Sequence, residues 1–404
     1  MNASSEFDVA VVGAGPAGTT AACLLQRAGH RVVLIDRCTF PREKLCGGCL
    51  SKKTLGIIRR IYGDTRESLL EKGVIDYISG DYTIYLNNDE ICAGVTDDPF
   101  CFVKRERYDS YLLGIARDAG VDVIEGQEVI SINPDNNTLL TSSGRELRAE
   151  YIVGADGVHS RVRKYFPESH FRKEDWHQNL AMALEIRVRR EGLRELADAG
   201  ECPSFLNENL RASHVFIDTA RWGYDWIFPN TDEIIIGICG LEQRNEKSLT
   251  DEFQEFLSRL GLTEASSGIS GYPLPYGNYL RDPVYRNLIL IGDAGGFADP
   301  ILGEGLYFAH RTAEFAASAI HRSLTCGEDP GKIYRELLER YMLSEMDHEM
   351  RIRDVIFTAH ERHLRMLVKI LLSSMSRYFI EAVHGERSFG FFRRIYENGS
   401  SVDL

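Results

Sequence analysis

Nowhere in the 404 residues is there a run of eighteen apolar side chains, so the sequence predicts no membrane-spanning helix. The opening MNASSEFD lacks a basic stretch leading into an apolar core, which predicts no secretory leader and a reducing, cytoplasmic setting. Positive charge is in the minority: 47 Lys and Arg stand against 60 Asp and Glu, for a formal charge of −13. A field of that sign repels phosphate backbones and argues against nucleic acid as a partner. The nine cysteines are odd in number and widely scattered, so they build no disulfide framework. One C-x-x-C, Cys46–Cys49, has no second pair to complete a zinc site, and no metal is expected. Internal repeats are missing too, and GEDPG at 327–331 is the clearest break. What remains is 44% hydrophobic and 26% charged, a chain long enough for two or three domains with sizeable cores.

The densest signal comes first. Phe7 to Val12 reads as a short, buried parallel strand, followed by Gly13-Ala14-Gly15-Pro16-Ala17-Gly18, a G-x-G-x-x-G turn. A helical stretch runs to Gly29, and RVVLI forms a second strand ending at Asp36-Arg37. Gly13 permits the tight turn, Gly15 lets backbone approach a pyrophosphate, and Gly18 allows helix to pack on strand. Asp36 stands where a carboxylate accepts hydrogen bonds from an adenosine ribose. NAD and FAD both fit this fingerprint.

Two later segments share its grammar. Glu150 to Ala155 leads into Asp156-Gly157, and Asn287 to Ile291 leads into Gly292-Asp293, then on to Gly303-Glu304-Gly305 and a long helix. These segments in this order resemble the FAD-binding elements of the p-hydroxybenzoate hydroxylase-like flavoproteins. That resemblance implies contacts from Asp293 to the ribitol–pyrophosphate region and from Arg105, in VKRERYDSYL, to the cofactor; Arg105 also reads as one charge in a solvated run. Many hydroxylases of that group carry a His soon after the Gly-Asp-Ala, where this chain has Gly296-Phe297, a departure that counts against aromatic hydroxylation.

Two further motifs narrow the likeness. Tyr224-Asp225-Trp226-Ile227-Phe228-Pro229, with Gly237 beyond, is similar to the Y-x-W-x-F-P…G of geranylgeranyl reductases. Lys44-Leu45-Cys46-Gly47-Gly48 is similar to their K-x-C-G-G. The likeness spans about residues 7 to 320 and implies an FAD-dependent oxidoreductase that saturates carbon–carbon double bonds of a polyprenyl chain, on a lipid, diphosphate, quinone or chlorophyll precursor. It implies Cys46 as the catalytic thiol, with Lys44, Gly47 and Gly48 beside the flavin; Lys44 and Arg42 would favour its thiolate if near. Because side chains alternate along a strand, Tyr224, Trp226 and Phe228 share one face, either plain core or a wall for a polyprenyl chain. The electron donor is left open between NAD(P)H and ferredoxin or another protein; no second dinucleotide fingerprint is present.

The expected architecture is α/β. A discontinuous Rossmann-like FAD domain takes 1–75, 102–170 and 271–325; 76–101 and 171–270 form an inserted antiparallel substrate sheet; 326–404 is helical. Candidate helices cover KIYRELLERYMLSEMDHEMRIRDVIF and HLRMLVKILLSSMSRYFIEAV. From Glu361 to Glu397 seven Lys and Arg oppose four Glu, and Leu364, Leu367, Val368, Leu371, Leu372 and Met375 recur at helical spacing. Such a stripe suits packing on the domain, or peripheral contact with an anionic membrane. Two other readings stay open: a flavin-dependent monooxygenase or halogenase, and an FAD-binding redox sensor or electron-transfer protein switched through Cys46–Cys49. The other seven cysteines (23, 38, 92, 101, 202, 239, 326) read as small buried hydrophobes.

Overall fold

The computed structural model describes residues 5–86, 89–200, 203, 210–217, 220–245, 247–361 and 365–390. Its strands run in chain order as β1 (Ser5–Val12), β2 (Val32–Ile35), β3 (Cys49–Leu50), β4 (Ile75–Leu86), β5 (Asp89–Val103), β6 (Asp122–Ile124), β7 (Val129–Asn133) and β8 (Thr138–Thr141). There follow β9 (Glu146–Gly154), β10 (Leu180–Arg189), β11 (Ser213–Ile217), β12 (Gly223–Pro229), β13 (Glu233–Leu241), β14 (Ser270–Pro275), β15 (Val284–Tyr285) and β16 (Leu288–Leu290). They form two sheets.

The first has the order β15-β16-β9-β1-β2-β6, and β1, β2, β6, β9 and β16 pair in parallel. Parallel strands are buried on both faces, which is why β1 and β2 read as continuous apolar runs. On one face pack the helices Pro16–Arg27 and Leu306–Cys326, through Ala21, Ala22, Ala313 and Ala316. These small side chains let the helices sit close. On the other face Val129, Ile132 and Leu139 of the β7–β8 hairpin cover Ala10, Val33 and Ile152.

The second sheet has the order β14-β10-β13-β12-β11-β4-β5-β3. It is antiparallel except that β11 lies parallel to β4, a departure from the expected all-antiparallel sheet. No hairpin joins these strands, so nothing forces β11 to enter head to tail. One face packs Ile234, Ile236 and Ile238 against Phe253, Phe256 and Leu257 of the helix Leu249–Arg259. The opposite face is turned toward the first sheet's strand ends. The helices Ser344–Glu361 and Arg365–Val383 close over its far end, seating Ile356 and Phe357 by Trp222, and Phe379 and Val383 by Phe100 and Phe102.

The stretch expected as one helix over 332–357 is helix Pro330–Leu338, a π-helical turn Glu339–Leu343, then helix Ser344–Glu361. The side chains of the expected stripe from Leu364 to Met375, together with Arg362, Arg393, Arg394, Glu397 and Cys202, lie outside the described residues. Among the described residues no helix is long and apolar enough to cross a membrane, and no cluster of His, Cys, Asp and Glu could hold a metal ion.

Candidate functional site

A single continuous cavity of about 760 Å³ runs between the two sheets. It starts at the Gly13–Ala17 turn and Asp36, passes Lys44, Cys46 and Asp293, and ends among Phe100, Ile356, Phe357, Phe379, Ile380 and Val383.

At its first end, absent side chains set the shape. Gly13 has φ +103°, and a Cβ there would meet the Ala155 carbonyl oxygen at 2.3 Å. A Cβ on Gly18 would fall 1.7 Å from the Gly13 oxygen, so helix and turn touch backbone to backbone. Gly15 faces open space, its nearest neighbour being Arg42 Nη2 at 3.6 Å from a notional Cβ. Gly15 also begins the helix Pro16–Arg27, and no side chain caps that terminus. Asp36 does more than sequence suggests: it accepts the Ala14 N–H at 2.7 Å and the Cys38 N–H at 2.8 Å, locking the turn. Each carboxylate oxygen keeps a lone pair for a further donor. Arg37 stands exposed at the rim. Asp156 accepts the Arg161 and Val162 N–H groups with one oxygen, while its other oxygen is buried without a partner. Burial raises its pKa against the pull of those hydrogen bonds.

A second helix terminus enters midway. Gly305 begins the helix Leu306–Cys326, again with no side-chain cap, and Gly303, Glu304, Gly305 and Asp293 line the cavity there. The Glu304 carboxylate turns the other way: it accepts from Ser51 Oγ (2.7 Å) and Thr54 Oγ1 (2.8 Å) and pairs with Lys53 Nζ at 2.8 Å. The side chain therefore pins this turn to the helix Lys52–Tyr62.

Across from it, the Lys44–Gly48 loop presents Cys46. Arg105 is no solvated charge. It is buried, and its Nε and Nη2 each lie 2.8 Å from an Asp109 oxygen. Arg42 also pairs with Asp109, at 3.1 Å, and Arg105 and Lys44 both act electrostatically on the Cys46 sulfur. Lys44 sits 3.7 Å from the centre of the Tyr272 ring, and burial followed by Arg105 lowers its pKa. Cys46 and Cys49 are both free thiols; burial, then Glu304, pushes Cys49 well up.

The aromatic wall follows from register. Tyr224, Trp226 and Phe228 share the cavity face of β12, with ring centroids 5.7 and 6.1 Å apart. Trp226 lies opposite Gly237 on β13, and a Cβ on Gly237 would come within 2.2 Å of Trp226 Cζ2. The missing side chain lets the indole lie across the neighbouring strand. A Cβ on Gly47 would likewise meet Phe228 at 2.8 Å, so the Cys46 loop packs on the wall. The Tyr224 hydroxyl donates to the Leu302 carbonyl, and burial raises its pKa well above the ordinary phenol value.

Most of the residues singled out from sequence meet on this cavity. Ala14, Gly18, Gly292, Pro229 and Gly237 do not; they stand behind it and shape the turn, the helix contact or the ring that does. In particular Pro229 and Gly237, expected to touch substrate, are one step removed: Pro229 ends β12 and Gly237 is covered by Trp226. Asp109, Tyr272 and Glu185 belong to the site without a motif to mark them. Asp109 could have been found as the acid at i+4 from Arg105 on one helix. Glu185 follows Ala181 and Ala183 on the small-residue face of AMALEIRV, opposite Met182, Leu184, Ile186 and Val188.

The FAD binding domain family matches residues 6–214. The chain belongs to that family. It is 26% identical to the menaquinone reductase of Mycobacterium tuberculosis over 79% of this chain and 78% of that one. It is 27% identical to the geranylgeranyl diphosphate reductase of Synechocystis over 77% and 74%. Among solved structures, a geranylgeranyl bacteriochlorophyll reductase-like protein from Thermoplasma acidophilum superposes with a TM-score of 0.76 at 19% identity, covering 95% of this chain and 97% of that one. The halogenase PltM shares the fold at a TM-score of 0.65 and 16% identity, over 95% and 87%. The chain is thus an FAD-binding family member that is similar to geranylgeranyl reductases over most of its length. Its residues fit FAD on their own terms. Two uncapped helix N-termini face one cavity, Gly15 leaves room for an anion, and Asp156 offers an unpartnered acceptor.

Proposed function

We propose that this flavoprotein saturates carbon–carbon double bonds of a geranylgeranyl or other polyprenyl chain, carried on a lipid, diphosphate, quinone or chlorophyll precursor. The carrying observation is the continuity of the cavity from the glycine turn, past Cys46, to the apolar end at Phe379 and Val383. When bound and reduced, FAD supplies the hydride. On this reading Gly13, Gly15, Asp36, Arg37 and Asp156–Gly157 hold the nucleotide half, and Arg105, Asp293 and Gly303–Gly305 hold the flavin half. The wall of Tyr224, Trp226 and Phe228 orients the extended hydrocarbon and excludes water. Cys46 delivers the proton that a hydride transfer to an isolated alkene requires. Residues 1–75, 102–170 and 271–325 act as the cofactor domain, 76–101 and 171–270 as the substrate sheet, and 326–404 as its helical cover.

The electron donor on this reading is NAD(P)H or a ferredoxin-type protein, and the setting is cytoplasmic. Exposed Met366 and Ile370 beside Lys369 on the helix Arg365–Val383 support peripheral contact with an anionic membrane. The test is anaerobic. Dithionite-reduced, FAD-loaded protein is mixed with geranylgeranyl lipids, and the product is expected to gain the mass of one H₂ per bond saturated. No gain with any prenyl substrate overturns the reading. Cys46→Ser is expected to keep FAD and lose turnover by about a hundredfold. The fold shared with PltM supports a second reading, flavin-dependent monooxygenation or halogenation, which predicts oxygen consumption coupled to product. The third, a redox sensor switched through Cys46–Cys49, calls for a small closed space over the cofactor and a reactive Cys49; the long cavity and the raised Cys49 thiol both count against it.

A further inference from the structure

Among the described residues Glu185 is the one carboxyl on the second sheet that lines the cavity beside the Cys46 loop. It sits on β10, in register with Gly237 on β13 and Ser270 on β14, on the same face as Ala183 and the Trp226 wall. It is 3% exposed and lines the cavity, and the Cys46 backbone N–H faces its carboxyl group. Its Oε2 has no partner, and neither has the buried indole Nε1 of Trp226. Among the described residues no cation forms an ion pair with it, although Arg187 and Lys44 both pull its pKa down against burial. On its own strand Arg187 lies 3.7 Å from Glu233 of β13, and Lys104 lies 3.6 Å from that same Glu233. Lys44 of the loop stands over Tyr272 of β14. Tyr224 of β12 and Cys239 of β13 are titratable groups on this face too; burial raises the Tyr224 phenol well up and pushes the Cys239 thiol up to about 12. A buried carboxyl in such a place holds its proton to higher pH than an exposed one.

We infer that Glu185 is the acid behind Cys46, returning a proton to the thiolate after each turnover. The inference rests on the proton-donor role proposed for Cys46. The steps balance as follows. The Cys46 S–H bond breaks and its proton forms a C–H bond on one alkene carbon, while hydride from the reduced cofactor forms the other and the π bond is lost. The thiolate then takes the proton from the Glu185 O–H, and the carboxylate left behind is reprotonated by water. Burial, opposed in part by Arg187, raises the Glu185 pKa to about 7. A carboxyl titrating there still carries protons near neutrality and can give one up there.

The test has one arm independent of turnover. In FAD-loaded protein, the alkylation rate of Cys46 by iodoacetamide is followed by peptide mass spectrometry as pH is varied. Wild type is expected to show an extra inflection near pH 7, where Glu185 gains charge beside the sulfur. Glu185→Gln is expected to remove that inflection, and Glu185→Asp to keep it at a shifted pH. A wild-type profile with no inflection near 7, or one that Glu185→Gln leaves in place, overturns the inference. The second arm uses reduced protein and prenyl substrate: Glu185→Gln is expected to complete its first turnover at the wild-type rate and slow at least tenfold thereafter. Equal first and later turnovers in Glu185→Gln also overturn it. If wild type reduces no prenyl chain at all, the proposed activity fails, and the alkylation profile still decides whether the two side chains share a proton. Flavin content and melting temperature of each variant establish that it is folded.

Discussion

The two ends of the cavity are built by opposite means. At the nucleotide end, shape comes from side chains that are missing: Gly13, Gly15 and Gly18 leave room for backbone and for an anion. At the far end, shape comes from bulk, with Phe100, Tyr224, Trp226, Phe228, Phe357 and Phe379 leaving a slot between large rings. The first construction tolerates almost no change at Gly13 and Gly18, because what their absent Cβ atoms would meet at short range is backbone. The second can adjust, because it is bounded by side chains, some on β5 and β12 and others on the two helices that pack over them. One end therefore suits a cofactor of fixed geometry, and the other a family of chains differing in length.

Substitutions at the glycine end should be the most damaging. Gly13→Ala places a Cβ at 2.3 Å from the Ala155 oxygen at φ +103°. The expected outcome is loss of at least about 3 kcal/mol of stability together with loss of bound flavin. Denaturant unfolding and the flavin-to-protein absorbance ratio check it; stoichiometric flavin in Gly13→Ala breaks the comparison outright. Next in size is Gly237→Val, where a Cβ meets first the edge of the Trp226 ring at 2.2 Å, which must swing aside, and then the Leu184 carbonyl oxygen at 2.8 Å. About 2 kcal/mol should be lost by overpacking. Flavin should stay bound while the indole emission changes and prenyl binding weakens. If Gly237→Val instead lost its flavin, the two ends would not be separable.

How much of this was legible beforehand follows the same division. A glycine turn has few solutions, so Gly13, Gly15 and Gly18 with the flanking strands announce both fold and ligand class. The period of two in Tyr224-Asp225-Trp226-Ile227-Phe228 gave one shared face correctly. It could not say that Gly237 serves that face only by yielding space to Trp226, because cross-strand register is not written along a strand. Likewise Asp36 shows its strand-end position but not that Ala14 and Cys38 already claim part of its carboxylate. Glu185 was hidden for another reason: a polar residue in AMALEIRV marks either a solvent edge or a buried site, and only the assembled second sheet decides between them. The lining contributed by Ile356, Phe357, Phe379 and Val383 depends on how two distant helices dock, which their own amphipathic patterns leave undetermined.

The bulk-built end should respond in a graded way. Phe379→Ala removes a half-buried ring that stacks edge-on with Phe389, at 5.3 Å between centroids. About 1–2 kcal/mol should be lost, less than for a fully buried Phe, with flavin content unchanged. The slot would lengthen, so relative turnover should shift toward longer prenyl chains. A uniform fall across chain lengths would mean that Phe379 supports the helix cover without bounding the slot.

The smallest effect comes from a glycine that does not belong to the cavity. Gly56 lies inside the helix Lys52–Tyr62, and a Cβ there would meet nothing within 4 Å. Gly56→Ala removes the entropy cost of a helical glycine without any contact to disturb, and should stabilise by about 0.5–1 kcal/mol. The same chemical change thus has opposite signs at positions 13 and 56. What separates them is the Ala155 oxygen and a left-handed φ at one site, against open space and helical backbone at the other. Measuring both in one denaturant series tests that distinction directly: a Gly56→Ala protein less stable than wild type would show that glycine is tied to this helix by something other than backbone freedom, and the argument from empty Cβ positions would lose its footing at the nucleotide end as well.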